Sequence, residues 1–253
     1  KMKEKKFNTP ILFIIFNSPD TTAIVFAEIK KIRPKKLFVA ADGPRKDVPE
    51  DYKKCAQTRE IIKKVDWNCE VKILFQKENL GCGYGVSTAI NWFFDFVEEG
   101  IIMEDDCVPD QSFFYFCQEL LEYYRNNKKI MHISGDNFQY GKKRGFSSYY
   151  FSGYTHIWGW ATWHRAWKFF DFNCVSLEQK KSNWDKQWYL SARKQNGLAI
   201  LPNVNLVSNI GVGGDSTHTK EPIHYANLPS QQMDFPLIHP KIIMRHRLAD
   251  FFT

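Results

Sequence analysis

Eleven residues from Gly100 to Asp110, GIIMEDDCVPD, carry the strongest chemical signal in the chain. Ile101, Ile102 and Met103 read as the end of a buried strand, which stops at three successive carboxylates, Glu104, Asp105 and Asp106. Carboxylates at the carboxyl end of a parallel strand lie where open α/β sheets place ligands. Hard oxygen ligands there suit Mg²⁺ or Mn²⁺ carrying a phosphate-bearing substrate. A solvated acidic turn leading into the next helix accounts for the triplet as well. Other polar residues follow apolar runs: Asn17, then Asp42 and Arg45, then Asn79. In a parallel sheet they emerge at one edge and share a crevice with the triplet, which favours a metal-held nucleotide diphosphate. Asp106 is then the direct ligand, with Glu104 and Asp105 acting through metal-bound water or ribose hydroxyls. Taken singly, Asn17 and Asp42 also fit as turn stabilisers.

Those positions need strands and helices in alternation. Residues 11–16 are a continuous, largely β-branched run closed by Asn17, Ser18, Pro19 and Asp20, which predicts a buried strand and a turn. Asp20 or Thr21 can cap a helix through Lys31, and residues 37–41 return as a second buried strand. Pro49 suits the first turn of a helix reaching about residue 65, and residues 71–75 are a third strand. After the loop Asn79-Leu80-Gly81-Cys82-Gly83, residues 86–97 form an apolar helix that Gly100 stops before the fourth strand, residues 101–103. This alternation predicts a doubly wound sheet. Asp110 or Ser112 caps a further helix with Phe113, Phe114 and Leu120 inward, and residues 130–134 are a fifth strand. Beyond Gly135 comes an aromatic stretch without clean periodicity. A helix from Trp184 to Lys194, strands near residues 198–201 and 205–208, and the Gly-rich segment at 211–219 follow.

Composition narrows the classes. Hydrophobic residues at 43% and charged residues at 25% argue against disorder, and no run of about 20 apolar residues could span a bilayer. Residues 11–16 are also too short for a signal-peptide core. A net charge of +7 permits phosphate-rich partners, anionic membranes or nucleic acid. The basic residues concentrate at Lys1 to Lys6 and at Lys241, Arg245 and Arg247, not in one aromatic-lined stripe, which disfavours nucleic acid. The basic amphipathic tail, residues 242–252, fits peripheral contact with anionic lipid or a packed terminal helix equally. Six cysteines without CxxC pairs or zinc-spaced histidines predict buried free thiols in a reducing cytoplasm. Gly81, Gly83 and Gly85 invite a dinucleotide-binding reading, but Val86 stands where a third glycine belongs and the cluster is not on the first strand.

Seven segments together resemble one family: PILFIIFNSPD, LFVAADGPR, ENLGCGYGVSTAINWFF, GIIMEDDCVPD, MHISGDNFQ, YTHIWGWATWHRAW and PNVNLVSNIGVGGDSTHT. They are similar to nucleotide-diphospho-sugar transferases of bacterial surface-polysaccharide synthesis, such as capsule or lipopolysaccharide. These are GT-A-type glycosyltransferases, distantly similar to the N-acetylglucosaminyltransferase that starts complex N-glycans. The resemblance spans residues 9–219. It implies an α/β GT-A (Rossmann-like) fold, a mostly parallel twisted sheet flanked by helices in one domain. Residues 9–135 would bind a UDP-sugar and metal, and the aromatic-rich residues 136–253 the acceptor.

The same resemblance makes Glu104-Asp105-Asp106 a variant DxD motif, with Asp106 holding Mn²⁺ or Mg²⁺. Asn17, Asp42, Arg45, Asn79 and Gly81 then surround the nucleotide. Within WDKQW, Asp185 stands where the related enzyme has its catalytic base, with Lys186 in place of a second acid; a helix cap is its plainer role. His218 would reach metal or phosphate from a closing loop, or be a surface histidine. Trp158, Trp160 and Trp163 would stack on an acceptor sugar, or serve as aromatic core. The implied reaction is inverting sugar transfer to a saccharide or lipid-linked saccharide, in the cytoplasm or at the inner membrane face. Competing readings are a non-catalytic carbohydrate- or partner-binding module and an NAD(P)-dependent oxidoreductase. A nucleotidyltransferase would need its Gly-rich phosphate loop after the first strand, where only Asn17, Ser18 and Pro19 stand.

Overall fold

Burial along the first strands sets the architecture of the computed structural model, which describes residues 6–176, 183–211 and 227–253. In β1 (Ile11–Ile15), Ile11, Phe13 and Ile15 enter one core and Leu12 the other. In β2 (Lys36–Ala41), Leu37, Val39 and Ala41 part from Phe38 and Ala40 in the same way. Strands apolar on both faces require cover on both, as parallel sheets do. β3 (Glu70–Phe75) and β4 (Glu99–Glu104) complete a parallel group in the order β3-β2-β1-β4. Helices α1 (Pro19–Ile32) and α2 (Pro49–Ile61) pack on the first face, and α3 (Cys82–Phe94) on the second.

The second half extends this sheet. After the short β5 (Cys107–Pro109), α4 (Gln111–Tyr124) starts at Asp110, whose side chain accepts the Ser112 amide at 2.8 Å. Phe113, Phe114, Phe116, Leu120 and Leu121 bury its inner side in the first core. Then come β6 (Ile130–Ser134), β7 (Tyr149–Ser152), β8 (Trp160–Trp163), the short α5 (His164–Trp167), α6 (Trp184–Lys194), β9 (Leu198–Pro202) and β10 (Val207–Asn209). The full order is β3-β2-β1-β4-β8-β6-β9-β7, and β10 pairs with β5 in a separate two-stranded ribbon. β8 runs antiparallel to β4 and β6, and β7 antiparallel to β9.

The fold is thus a Rossmann-like, mostly parallel, helix-flanked sheet, with three antiparallel pairings among seven. Insertion of β8 between β4 and β6 departs from a purely parallel winding. The tail returns over β7: Phe151 bridges Arg245, and α7 (Arg247–Phe251) packs on that strand. Among the described residues no helix is long and apolar enough to cross a membrane. All six cysteines are unpaired thiols.

Candidate active site

The carboxyl ends of β1, β2, β4 and β6 open at one sheet edge, because β6 regains the direction of β4 through the intervening antiparallel β8. Glu104 is the last residue of β4, opposite Ile14 of β1. Its Oε1 is shielded from solvent and has no hydrogen-bond partner. Burial, then the charges of Asp106, Asp105 and Asp185, raise its pKa well above the carboxylate range. Asp105 points back into the protein: its Oδ2 accepts from the Phe16 amide at 2.9 Å and the Thr22 hydroxyl at 3.1 Å. Burial and the neighbouring Asp106 push Asp105 up to about 7. Asp105 therefore clamps the end of β4 to the start of α1.

Asp106 is set by the small ribbon. Its carbonyl accepts the Ile210 amide at 2.9 Å, and the Cys107 thiol lies 3.3 Å from its Oδ1. Burial and the Asp106 charge hold that thiol protonated, so it is the donor. Gly211 lies so close that a Cβ there would collide with the Asp106 carboxylate, so the carboxylate keeps its place only with glycine at 211. Gly211 belongs to the Gly-rich segment, but its contact with Asp106 needed the β5–β10 pairing, which no local sequence signal supplies.

Asp42 organises the opposite wall. Its carboxylate accepts the amides of Gly43, Leu80 and Gly81 at 2.8, 2.9 and 3.1 Å and the Asn79 side chain at 3.0 Å. Burial raises its pKa despite those donors. The Asn79–Gly81 turn is thereby tied to β2, and Gly81, at φ 78°, leads into α3 in a left-handed conformation that favours glycine. Asn17 and Arg45 meet on Asp51, a buried residue of α2 that the sequence reading did not single out. Asn17 Nδ2 donates to Asp51 at 2.7 Å, and Arg45 forks onto both oxygens at 2.6 and 3.0 Å. Burial pushes Asp51 upward, but these hydrogen bonds win and hold it below the usual carboxylate range. Asn17, Asp42, Arg45, Asn79 and Gly81 all stand on the same edge as the triplet.

Asp185 is an exposed residue in the first turn of α6. The N-cap is Asn183, so capping by Asp185 is corrected; its carboxylate instead gains from the helix N-terminus. Its charge contributes, after burial, to raising the pKa of both Glu104 and Cys82. Trp160 and Trp163 are corrected as stacking residues, since both are fully buried in a central strand covered on both faces. Trp160 lies against His132 and Trp184 at 4.9 and 5.8 Å in the second core, and Trp163 enters the first and donates to Leu121 O. Trp158 alone of the three keeps exposed surface, and its amide is held by Asp136 Oδ2 at 3.2 Å. Asp136 also pairs with His156 Nδ1 at 2.6 Å, a buried couple at the end of β6. His218 lies outside the described residues. Among the described residues no three His, Cys, Asp or Glu side chains form a ready-made metal cage.

No protein-family model matches the chain, and no curated protein sequence matches it. Among solved structures, it is similar to a mannosyltransferase from Pyrobaculum calidifontis in complex with GDP-Man and Mn²⁺, with 11% identity and a TM-score of 0.46 over 78% of this chain and 55% of that one. The chain thus spans about half the length of that protein. It is also similar to a UDP-glucose pyrophosphorylase complexed with UDP-glucose, at 9% identity and a TM-score of 0.45, covering 75% of this chain and 89% of the other. An apo UDP-glucose pyrophosphorylase gives 12% identity and a TM-score of 0.44 over the same shares.

Proposed function

We propose that the chain is a metal-dependent glycosyltransferase that moves a sugar, with inversion, from a UDP-sugar to a saccharide or lipid-linked saccharide in surface-polysaccharide or glycoconjugate synthesis. The observation that carries this reading is the orphaned, shielded Oε1 of Glu104 beside two further carboxylates at the mouth of a parallel sheet. Leaving one buried carboxylate oxygen, Glu104 Oε1, unpaired beside like charges is costly, and a divalent cation would offset that cost. The donor set is all oxygen, which suits Mn²⁺ or Mg²⁺. Asp106 would hold the ion, which would supply positive charge against the charge developing on a departing diphosphate.

The chain's own residues supply the rest. Asp42 fixes the Asn79–Gly81 turn that lines the donor side, and Asp51 fixes Asn17 and Arg45 beside it. Asp185 removes the acceptor hydroxyl proton from the side opposite the departing phosphate, as inversion requires. Residues 9–135 would hold the donor and residues 136–253 the acceptor, with Trp158 as the remaining aromatic candidate for the sugar face. Donor hydrolysis or transfer should require Mn²⁺ or Mg²⁺ and vanish in Asp106→Ala. Equal turnover in excess chelator overturns the metal mechanism, and an Asp106→Ala protein with undisturbed function favours a non-catalytic module.

A further inference from the structure

Two segments on the acceptor side form a surface that the crevice does not use. The loop after β6 leaves the same sheet edge as Glu104, turns at Gly141 and Gly145 with φ of 79° and 80°, and has open space around both. At its tip Phe146 is fully exposed at 101%. The tail adds Phe251 at 82%, Ile242 at 71%, Met244 at 70%, Ile238 at 61% and Leu248 at 58%. Direct contacts join the two segments. Gln139 donates to Ala249 O at 3.2 Å and Thr253 Oγ1 at 3.1 Å, and the Ser148 amide donates to Ile238 O at 2.8 Å. Lys142 Nζ and Arg144 Cζ stand 5.3 and 5.1 Å from the Phe252 ring centroid.

Charge decides what such a face suits. Residues 138–148 and 235–253 carry six basic side chains, Lys142, Lys143, Arg144, Lys241, Arg245 and Arg247, against one carboxylate. That carboxylate, Asp250, is buried and receives Ser152 Oγ at 2.5 Å, the Gly153 amide at 3.0 Å and the Arg245 guanidinium. Arg245 is thus neutralised, and what faces outward is exposed aromatic and aliphatic surface beside the exposed cations Lys142, Lys143, Lys241 and Arg247, the chemistry of an interfacial anchor on anionic lipid. A second copy of the chain suits it poorly, because a two-fold contact would set these cations against their own images.

We propose that this face docks the protein on an anionic bilayer, with Phe146 and Phe251 entering the interface and the lysines and arginines pairing with lipid headgroups. That docking brings a lipid-borne acceptor to the crevice rests on the glycosyltransferase reading; binding to the bilayer does not. The test is co-sedimentation of the full chain with vesicles of phosphatidylcholine alone, or with about a third phosphatidylglycerol, in low and high salt. The expected result is salt-sensitive binding to the anionic vesicles only, weakened at least about tenfold by Phe146→Glu with Phe251→Glu and by Lys142→Glu with Lys143→Glu. Nucleotide affinity and activity on a soluble acceptor should stay unchanged in all four substitutions, which separates failure of docking from failure of the catalytic reading. No binding to anionic vesicles, equal binding to neutral ones, or unweakened binding by the Phe146→Glu, Phe251→Glu protein overturns the proposal. A dimer seen by light scattering and lost in that protein overturns it too, by assigning the face to a second copy.

Discussion

Asp185 is the residue on which the proposed transfer turns. It is exposed, lies in the first turn of α6, and its charge contributes to raising the pKa of Glu104 and Cys82. Asp185→Asn keeps the shape and the helix start while removing the basic oxygen. It should retain nucleotide affinity and lose transfer by roughly two orders of magnitude or more, the scale of a missing general base. Parallel measurement of nucleotide binding and transfer rate checks this, and wild-type transfer would place the base elsewhere. At this scale the sequence was unevenly legible. The triplet announced itself because an apolar run ended on three acids. Asp51 did not, because an acid shortly after Pro49 is ordinary for a helix start and only the folded chain brings Asn17 and Arg45 onto it. Tryptophans 158, 160 and 163 look alike in sequence, yet only tertiary placement reveals that two are core.

Among the elements, β6 shows how the halves of the sheet are locked. His132 Nε2 donates to the His156 carbonyl at 2.6 Å, and its Nδ1 accepts from Trp188 Nε1 of α6 at 3.1 Å, so the ring is held in one neutral tautomer. Burial lowers its pKa from 6.5 to about 3. The unfolded chain takes up this proton and the folded chain does not. The contribution to stability is therefore whole above pH 6.5 and is lost as pH falls toward 3, at up to about 1.4 kcal/mol per pH unit. Denaturant unfolding of wild type and His132→Gln across that range should show the wild-type slope steeper by one proton. Identical slopes would mean that His132 is protonated in the fold.

Elements with clean apolar runs were readable in advance. β1, β2, β3, β4 and β6 fall within a residue or two of their expected bounds, and α6 spans Trp184–Lys194 as its spacing predicts. The antiparallel β7 and β8 were not, since YYFS and WATW are buried throughout and carry no period-2 alternation. α3 starts at Cys82, ahead of the expected residue 86, because Gly83 and Gly85 lower helix propensity while the Asp42-anchored turn overrides it.

Across the whole molecule, the parallel half holds the crevice wall of Asn17, Asp42, Arg45 and Asn79, the triplet closes its centre, and α6 brings Asp185 from the other half. The basic, apolar rim formed by the loop after β6 and the tail adjoins that side. The proposed function places a metal-bound nucleotide diphosphate at the centre. Titration calorimetry of UDP-sugars with the intact chain, with and without Mn²⁺, tests that claim most directly. The expected result is Mn²⁺-dependent binding that disappears in Asp106→Ala and persists in Asp185→Asn. Binding that is indifferent both to the metal and to Asp106, or no nucleotide-sugar binding at all, would contradict it.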